Sequence, residues 1–149
     1  MDKIVFITGA SSGIGAGCAR KFASQGASLI LNARNVNKLS ALKEELEKQY
    51  GAKIYLLPFD VRDRKAATSA LESLPKEWQS IDILVNNAGL VIGTDKEQEG
   101  SLDEWDIVID TNIKALLAMT RLIVPGMVER KRGHIINIGS IAGDAAYPG

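Results

Sequence analysis

The chain is poor in cysteine: Cys18 is the only one among 149 residues, so no internal disulfide can form. Cys18 lies among helix-forming residues, where a small apolar side chain serves packing, and it is assigned no chemistry. Net charge is lacking too, since 18 lysines and arginines balance 18 aspartates and glutamates. No global field therefore draws nucleic acid or an anionic membrane surface, and no run of like charge forms an interaction tail, so the expected partner is a small molecule. The one histidine, His134, has no cysteine or second histidine at ligand spacing, and no metal site is expected. The richest apolar stretch, Ile113 to Val128, is broken by Lys114, Arg121 and Pro125, too short and too charged to span a bilayer. An apolar strand begins almost at the first residue, so no leader peptide is expected and the protein is expected to be cytoplasmic.

Apolar side chains make up 46% of the sequence, enough for one sizeable core, and residues 1–149 read as a single domain without repeats or linkers. Apolar runs rich in β-branched residues alternate with longer amphipathic segments, the pattern of parallel strands joined by right-handed helical crossovers. Strands are predicted at Lys3 to Thr8, Ser28 to Ala33, Lys53 to Pro58, Ile81 to Asn86 and His134 to Ile138. Helices are predicted at Gly13 to Gln25, Val36 to Tyr50, Arg64 to Ser73 and Leu102 to Lys131, from apolar residues at three- and four-residue spacing. The stripe Leu39, Leu42, Leu46 and Tyr50 is read as core packing. Ser101 with Glu104 has capping-box spacing, and Gly26 and Gly51 can close helices in the left-handed conformation. Residues Val91 to Gly100 read as a surface loop at the carboxyl end of the fourth strand.

The first strand runs into Thr8-Gly9-Ala10-Ser11-Ser12-Gly13-Ile14-Gly15, which opens a helix. Glycines at such a turn let the backbone approach an anion closely, and the helix start supplies unpaired N–H donors. Gly9 would make the tight turn, Gly13 would admit a pyrophosphate and Gly15 would let helix and strand pack closely. No lysine follows as a P-loop requires, so a P-loop is excluded. The octapeptide resembles the phosphate-binding signature of the short-chain dehydrogenase/reductase family. That resemblance implies a Rossmann-type doubly wound α/β fold with strand order 3-2-1-4-5, and a nicotinamide cofactor held at Thr8, Gly9, Ser11, Ser12, Gly13, Ile14 and Gly15.

An NAD-binding domain usually ends its second strand, about 20 residues after the turn, with an acid for the ribose hydroxyls. Here the segment reads Asn32-Ala33-Arg34-Asn35. The guanidinium fork of Arg34 can pair with a ribose 2′-phosphate that an aspartate would repel, so NADP(H) is expected, with Arg34 and Asn35 at the phosphate.

Four further matches follow in order. Phe59-Asp60-Val61 ends the third strand, and the resemblance places Asp60 and Val61 beside the adenine, although Asp60 can equally cap the next turn. Asn86-Asn87-Ala88-Gly89 is similar to the family's NNAG motif, in which Asn86 would support the sheet while Ala88 and Gly89 lie against the cofactor. Asn112 matches a family asparagine that helps hold a water in a proton relay, the alternative being a satisfied structural amide. Ser140, after the fifth strand, matches the serine that holds the substrate oxygen.

The family also uses a tyrosine about a dozen residues after the serine and a lysine four beyond it, as acid or base and its partner. Tyr147 lies seven residues after Ser140 and is not at that place, and Gly149 ends the given sequence. The family's later strands are likewise not reached, so His134 to Ile138 is expected to present an unpaired apolar edge. Three readings are weighed. One is NADP(H)-dependent hydride transfer between nicotinamide and a secondary alcohol or ketone. Another is cofactor binding without turnover, and the third is an inactive fragment that binds nothing stably. Leu74-Pro75-Lys76-Glu77-Trp78 and Pro125-Gly126-Met127-Val128-Glu129-Arg130 resemble the branch acting on serine, allo-threonine and 3-hydroxy acids. The long helix is of the kind that pairs across a dimer interface in the family, so a homo-oligomer is expected.

Overall fold

A computed structural model describes residues 2–93 and 95–145; Tyr147 lies outside the described residues. Five parallel strands form one sheet: β1 (Ile4–Ile7), β2 (Ser28–Leu31), β3 (Ile54–Leu56), β4 (Ile83–Asn86) and β5 (His134–Asn137). Their order is β3-β2-β1-β4-β5, as expected for the Rossmann-type fold. Val5 pairs with Leu29 on one side and Ile83 on the other, and Val85 pairs with Ile136, so the register is continuous across the sheet.

Alternation along each strand sends side chains to two cores, which is why these strands read as unbroken apolar runs. Val5, Ile7, Leu29, Leu31 and Val85 pack against α1 (Gly13–Ser24) and α2 (Val36–Tyr50), with Leu39, Leu42 and Leu46 fully or almost fully buried. Phe6, Ile30 and Leu84 point the opposite way, toward α3 (Arg64–Glu72) and α5 (Ala115–Glu129), where they meet Ala67, Met119 and Ile123. Gly26 and Gly51 take positive φ at the ends of α1 and α2, as their positions suggested. The Glu104 amide donates to Ser101 Oγ at 3.4 Å, so Ser101 caps α4 (Leu102–Ile109).

The segment predicted as one helix from Leu102 to Lys131 is not uniform. Between α4 and α5 lies a π-helical turn, Asp110–Lys114, in which the Ala115 amide reaches back to the Asp110 carbonyl. Apolar periodicity is almost blind to one extra residue per turn, so the sequence pattern reads through it. At the amino ends of the strands, Asp82 is buried and accepts from the Ile4 amide at 3.0 Å, while Arg130 Nη2 donates to the Ile81 carbonyl at 2.7 Å. β5 pairs with β4 on one side, and His134, Ile135 and Asn137 are exposed. No helix among the described residues is long and apolar enough to cross a membrane.

Candidate functional site

The carboxyl ends of β1 and β4 are locked together, and Thr8 does most of the locking. Its buried Oγ accepts from the Asn87 amide at 3.0 Å and the Ala88 amide at 2.9 Å. In return, Asn87 Nδ2 donates to the Thr8 and Gly9 carbonyls, each at 3.1 Å. Thr8 thus acts as a clasp behind the cleft and is not part of its lining. Gly9 has φ +62°, and a Cβ there would meet Ala88 Cα at 2.9 Å. Gly15 also lies behind the wall: a Cβ on it would stand 2.3 Å from the Gly9 carbonyl oxygen.

Gly13 is different. Nothing lies within 4 Å of its missing Cβ, so it leaves the helix start open to the cleft. Ser12 occupies the N-cap position, but its hydroxyl makes no capping bond. The first amides of α1 therefore lack the side-chain acceptor that usually satisfies one of them, and Ser11, Ser12, Gly13 and Ile14 all line the cleft there.

At the other end of the cleft, buried Asn32 donates from Nδ2 to the Leu57 carbonyl at 3.0 Å and the Phe59 carbonyl at 3.1 Å, tying β2 to the segment after β3. Arg34 follows and is exposed. Asn35 lines the cleft while its Oδ1 caps α2 by accepting from the Lys38 amide at 3.0 Å. Lys38 lines the cleft, a cation the sequence reading did not single out. Asp60 holds Arg62 through a fork, Nη2 to Oδ2 at 2.7 Å and Nε to Oδ1 at 3.1 Å, and its Oδ1 also accepts from the Arg62 amide at 3.0 Å. The Arg62 hydrogen bonds, with a smaller contribution from the Arg34 charge, hold the Asp60 carboxyl below its ordinary pKa. The capping role weighed for Asp60 is thus present as a tight turn closed by the residue two places on. Arg62 was missed; an aspartate followed two residues later by arginine was the available signal.

Across the sheet, Asn86 Nδ2 donates to Thr120 Oγ and to Asn137 Oδ1, each at 3.0 Å, joining β4 to α5 and β5. Asn112 sits in the π-helical turn, and both ends of its carboxamide engage Leu90. Oδ1 accepts from the Leu90 amide at 2.8 Å and Nδ2 donates to the Leu90 carbonyl at 2.7 Å. Its side chain thereby braces the chain beyond Gly89. Ser140 Oγ accepts from the Ala142 amide at 3.1 Å, which leaves its hydroxyl proton free to point elsewhere.

Fourteen of the sixteen residues singled out from sequence line one open cleft of about 1420 Å³ at the carboxyl ends of the strands: Gly9, Ser11, Ser12, Gly13, Ile14, Arg34, Asn35, Asp60, Val61, Asn86, Ala88, Gly89, Asn112 and Ser140. Thr8 and Gly15 stand behind it. Its place outside the strand ends, between helices of both faces, is where open α/β sheets bind ligands.

Comparison with known proteins agrees with this geometry. The NADP-dependent 3-hydroxy acid dehydrogenase YdfG of Escherichia coli is 49% identical over 146 residues, 98% of this chain and 57% of that protein. Sulfoacetaldehyde reductase 2 of Chromohalobacter salexigens is 43% identical over 150 residues, 100% of this chain and 59% of that protein. The chain thus spans little more than half the length of these relatives. Among solved structures, serine dehydrogenase from Escherichia coli superposes with a TM-score of 0.92 at 49% identity, covering 98% of this chain and 66% of that one. The closed form of serine dehydrogenase complexed with NADP+ gives 0.90 at 47% identity, covering 98% and 57%. The profile of the short chain dehydrogenases matches residues 3–149, and the chain belongs to that family.

Proposed function

We propose that this chain forms the cofactor-binding portion of an NADP(H)-dependent oxidoreductase acting on a secondary alcohol or its ketone, of the serine or 3-hydroxy acid class. The observation that carries the reading is the pairing, in one cleft, of an open, uncapped helix start at Gly13 with a carboxylate-free β2 end carrying Arg34. The first feature fits a pyrophosphate and the second a 2′-phosphate. When bound, the nicotinamide supplies the hydride.

The chain's own residues bind and orient. Gly13 keeps a side chain away from the pyrophosphate, Gly9 makes the tight turn against Ala88, and the amides from Ser12 to Ile14 donate to it. Ser11 and Ile14 border it. Arg34 meets the 2′-phosphate beside the α2 start that Asn35 caps, and Val61, Ala88 and Gly89 lie against the adenosine half. Asn86 and Asn112 keep the nicotinamide wall rigid through Asn137 and Leu90. Ser140 donates its free proton to the substrate oxygen, which polarises a carbonyl or orients an alcohol. A homo-oligomer is proposed through the exposed Ile109, Ile113 and Leu117 of the long helix.

The test is titration with NADPH and NADH of the wild type and Arg34→Ala. The reading expects the variant to lose about ten- to a hundredfold in NADPH affinity, the effect of one charge-assisted fork, with NADH nearly unchanged. Equal affinity of the wild type for the two cofactors would refute it. The oxidoreductase part is tested by NADPH oxidation with 3-hydroxy acid substrates or their ketones, with Ser140→Ala expected to lower the rate.

A further inference from the structure

The cleft contains a charge arrangement that the glycine turn and Arg34 do not explain. Among the described lining residues there are three cations, Arg34, Lys38 and Arg62, and a single carboxylate, Asp60. That carboxylate lies close enough to Arg34 for the two charges to influence each other. A phosphate dianion drawn to Arg34 would therefore also meet the negative charge of Asp60, which works against binding.

Arg62 changes this balance. Its guanidinium holds both carboxylate oxygens, Nη2 to Oδ2 at 2.7 Å and Nε at 3.1 Å to Oδ1 and 3.2 Å to Oδ2, while its amide takes Oδ1 at 3.0 Å. Three N–H donors, one of them shared, thus engage both carboxylate oxygens. Neither Arg34 nor Lys38 has an ion-pair partner among the described residues. Asp110, the other acid near Arg62, is paired with Lys114 at 2.8 Å. The arrangement sets a neutral Asp60–Arg62 unit beside two free cations.

We propose that Arg62 is a specificity-determining positioning residue. By forking onto Asp60 it cancels the one carboxylate among the described residues lining the cleft, so that Arg34 and Lys38 act on a 2′-phosphate unopposed. Arg62 acts through Asp60 and needs no contact with the phosphate. The inference rests on the NADP(H) reading above and extends it to a residue outside the motifs that support it.

The probes are adenosine 2′,5′-bisphosphate and adenosine 5′-monophosphate, which differ only in the 2′-phosphate, titrated calorimetrically into the full chain. The wild type is expected to prefer the bisphosphate. Arg62→Gln frees the Asp60 charge and should lower that preference about fivefold, the scale of one carboxylate acting on a dianion across partly screened space. Asp60→Asn in the same chain should restore the preference to within about twofold, since no charge then remains to cancel. Arg62→Lys, which keeps the charge and disturbs the turn least, should retain most of it.

Loss of preference in Arg62→Gln that Asp60→Asn fails to restore would overturn the proposal, because Arg62 would then touch the phosphate itself. Equal weakening of both probes would overturn it as well, pointing to contact with the adenine. A wild type without any preference for the bisphosphate would sink the NADP(H) reading and this inference together. A wild-type preference that Arg62→Gln leaves intact would sink the inference alone.

Discussion

Gly15→Ala puts a methyl group where the structure has no room. The new Cβ would lie 2.3 Å from the Gly9 carbonyl oxygen, 2.5 Å from Asn87 Nδ2 and 2.9 Å from the Gly9 carbonyl carbon. Two of these neighbours are backbone, and the third is the side chain that clasps the Thr8 and Gly9 carbonyls, so relief requires moving the turn or breaking the clasp. Overpacking of this kind costs about 1–3 kcal/mol, and a backbone obstacle puts this case near the upper end. Alanine regains about 1 kcal/mol of helix propensity over glycine, leaving a net loss of about 2 kcal/mol. For a chain of this size that is about 4–8 °C in Tm. Gly17, two residues on in the same helix, is exposed and has nothing within 4 Å of its missing Cβ, so Gly17→Ala should gain up to about 1 kcal/mol. The pair is read by urea and thermal unfolding followed by circular dichroism. If Gly15→Ala matched or exceeded the wild type, or moved with Gly17→Ala, the close-packing argument would be refuted.

Thr8→Val keeps the shape of the side chain but strands the Asn87 and Ala88 amides, so a loss of about 2–3 kcal/mol is expected, whereas Thr8→Ser should lose much less; denaturant midpoints decide. Phe6 of β1 is completely buried against the α3–α5 layer, and Phe6→Ala should cost about 3–5 kcal/mol, read as a fall in the denaturant midpoint. Asp60 is held below its ordinary pKa of about 3.9, chiefly by hydrogen bonds from Arg62. Its contribution to stability is therefore complete above that range and is lost as pH falls through the lowered value. The pair is partly solvent-screened, so the loss should stay under about 1 kcal/mol, and Asp60→Asn should flatten that acid limb of the stability–pH curve. A curve unchanged by the substitution would contradict the assignment.

Much of this protein is local and therefore legible in one dimension. Apolar runs at two spacings mark strands and helices because side chains alternate along a strand and recur along a helix, and alternating strand and helix leaves few ways to order a parallel sheet. Thr8 to Gly15 announces an anion-binding turn because glycine needs no partner to be permissive. The missing acid after β2 is equally visible, since it concerns one position at a known distance from that turn.

What the sequence withheld depends on contacts between distant segments. It placed Thr8 with the cofactor, but folding makes it a clasp, because only the pairing of β1 with β4 brings Asn87 and Ala88 to its hydroxyl. The bonding of the Asn112 carboxamide to Leu90, 22 positions earlier, was likewise out of reach of the sequence. Asn35 and Asp60 both line the cleft, and the sequence did not show that Asn35 also caps α2 or that Arg62 forks onto Asp60. The sequence by itself determined the order of elements and the chemistry available at each strand end. The tertiary structure alone decided which polar groups are consumed by one another and which remain free, because a hydrogen bond or charge pair is a relation between two places that the chain order does not contain.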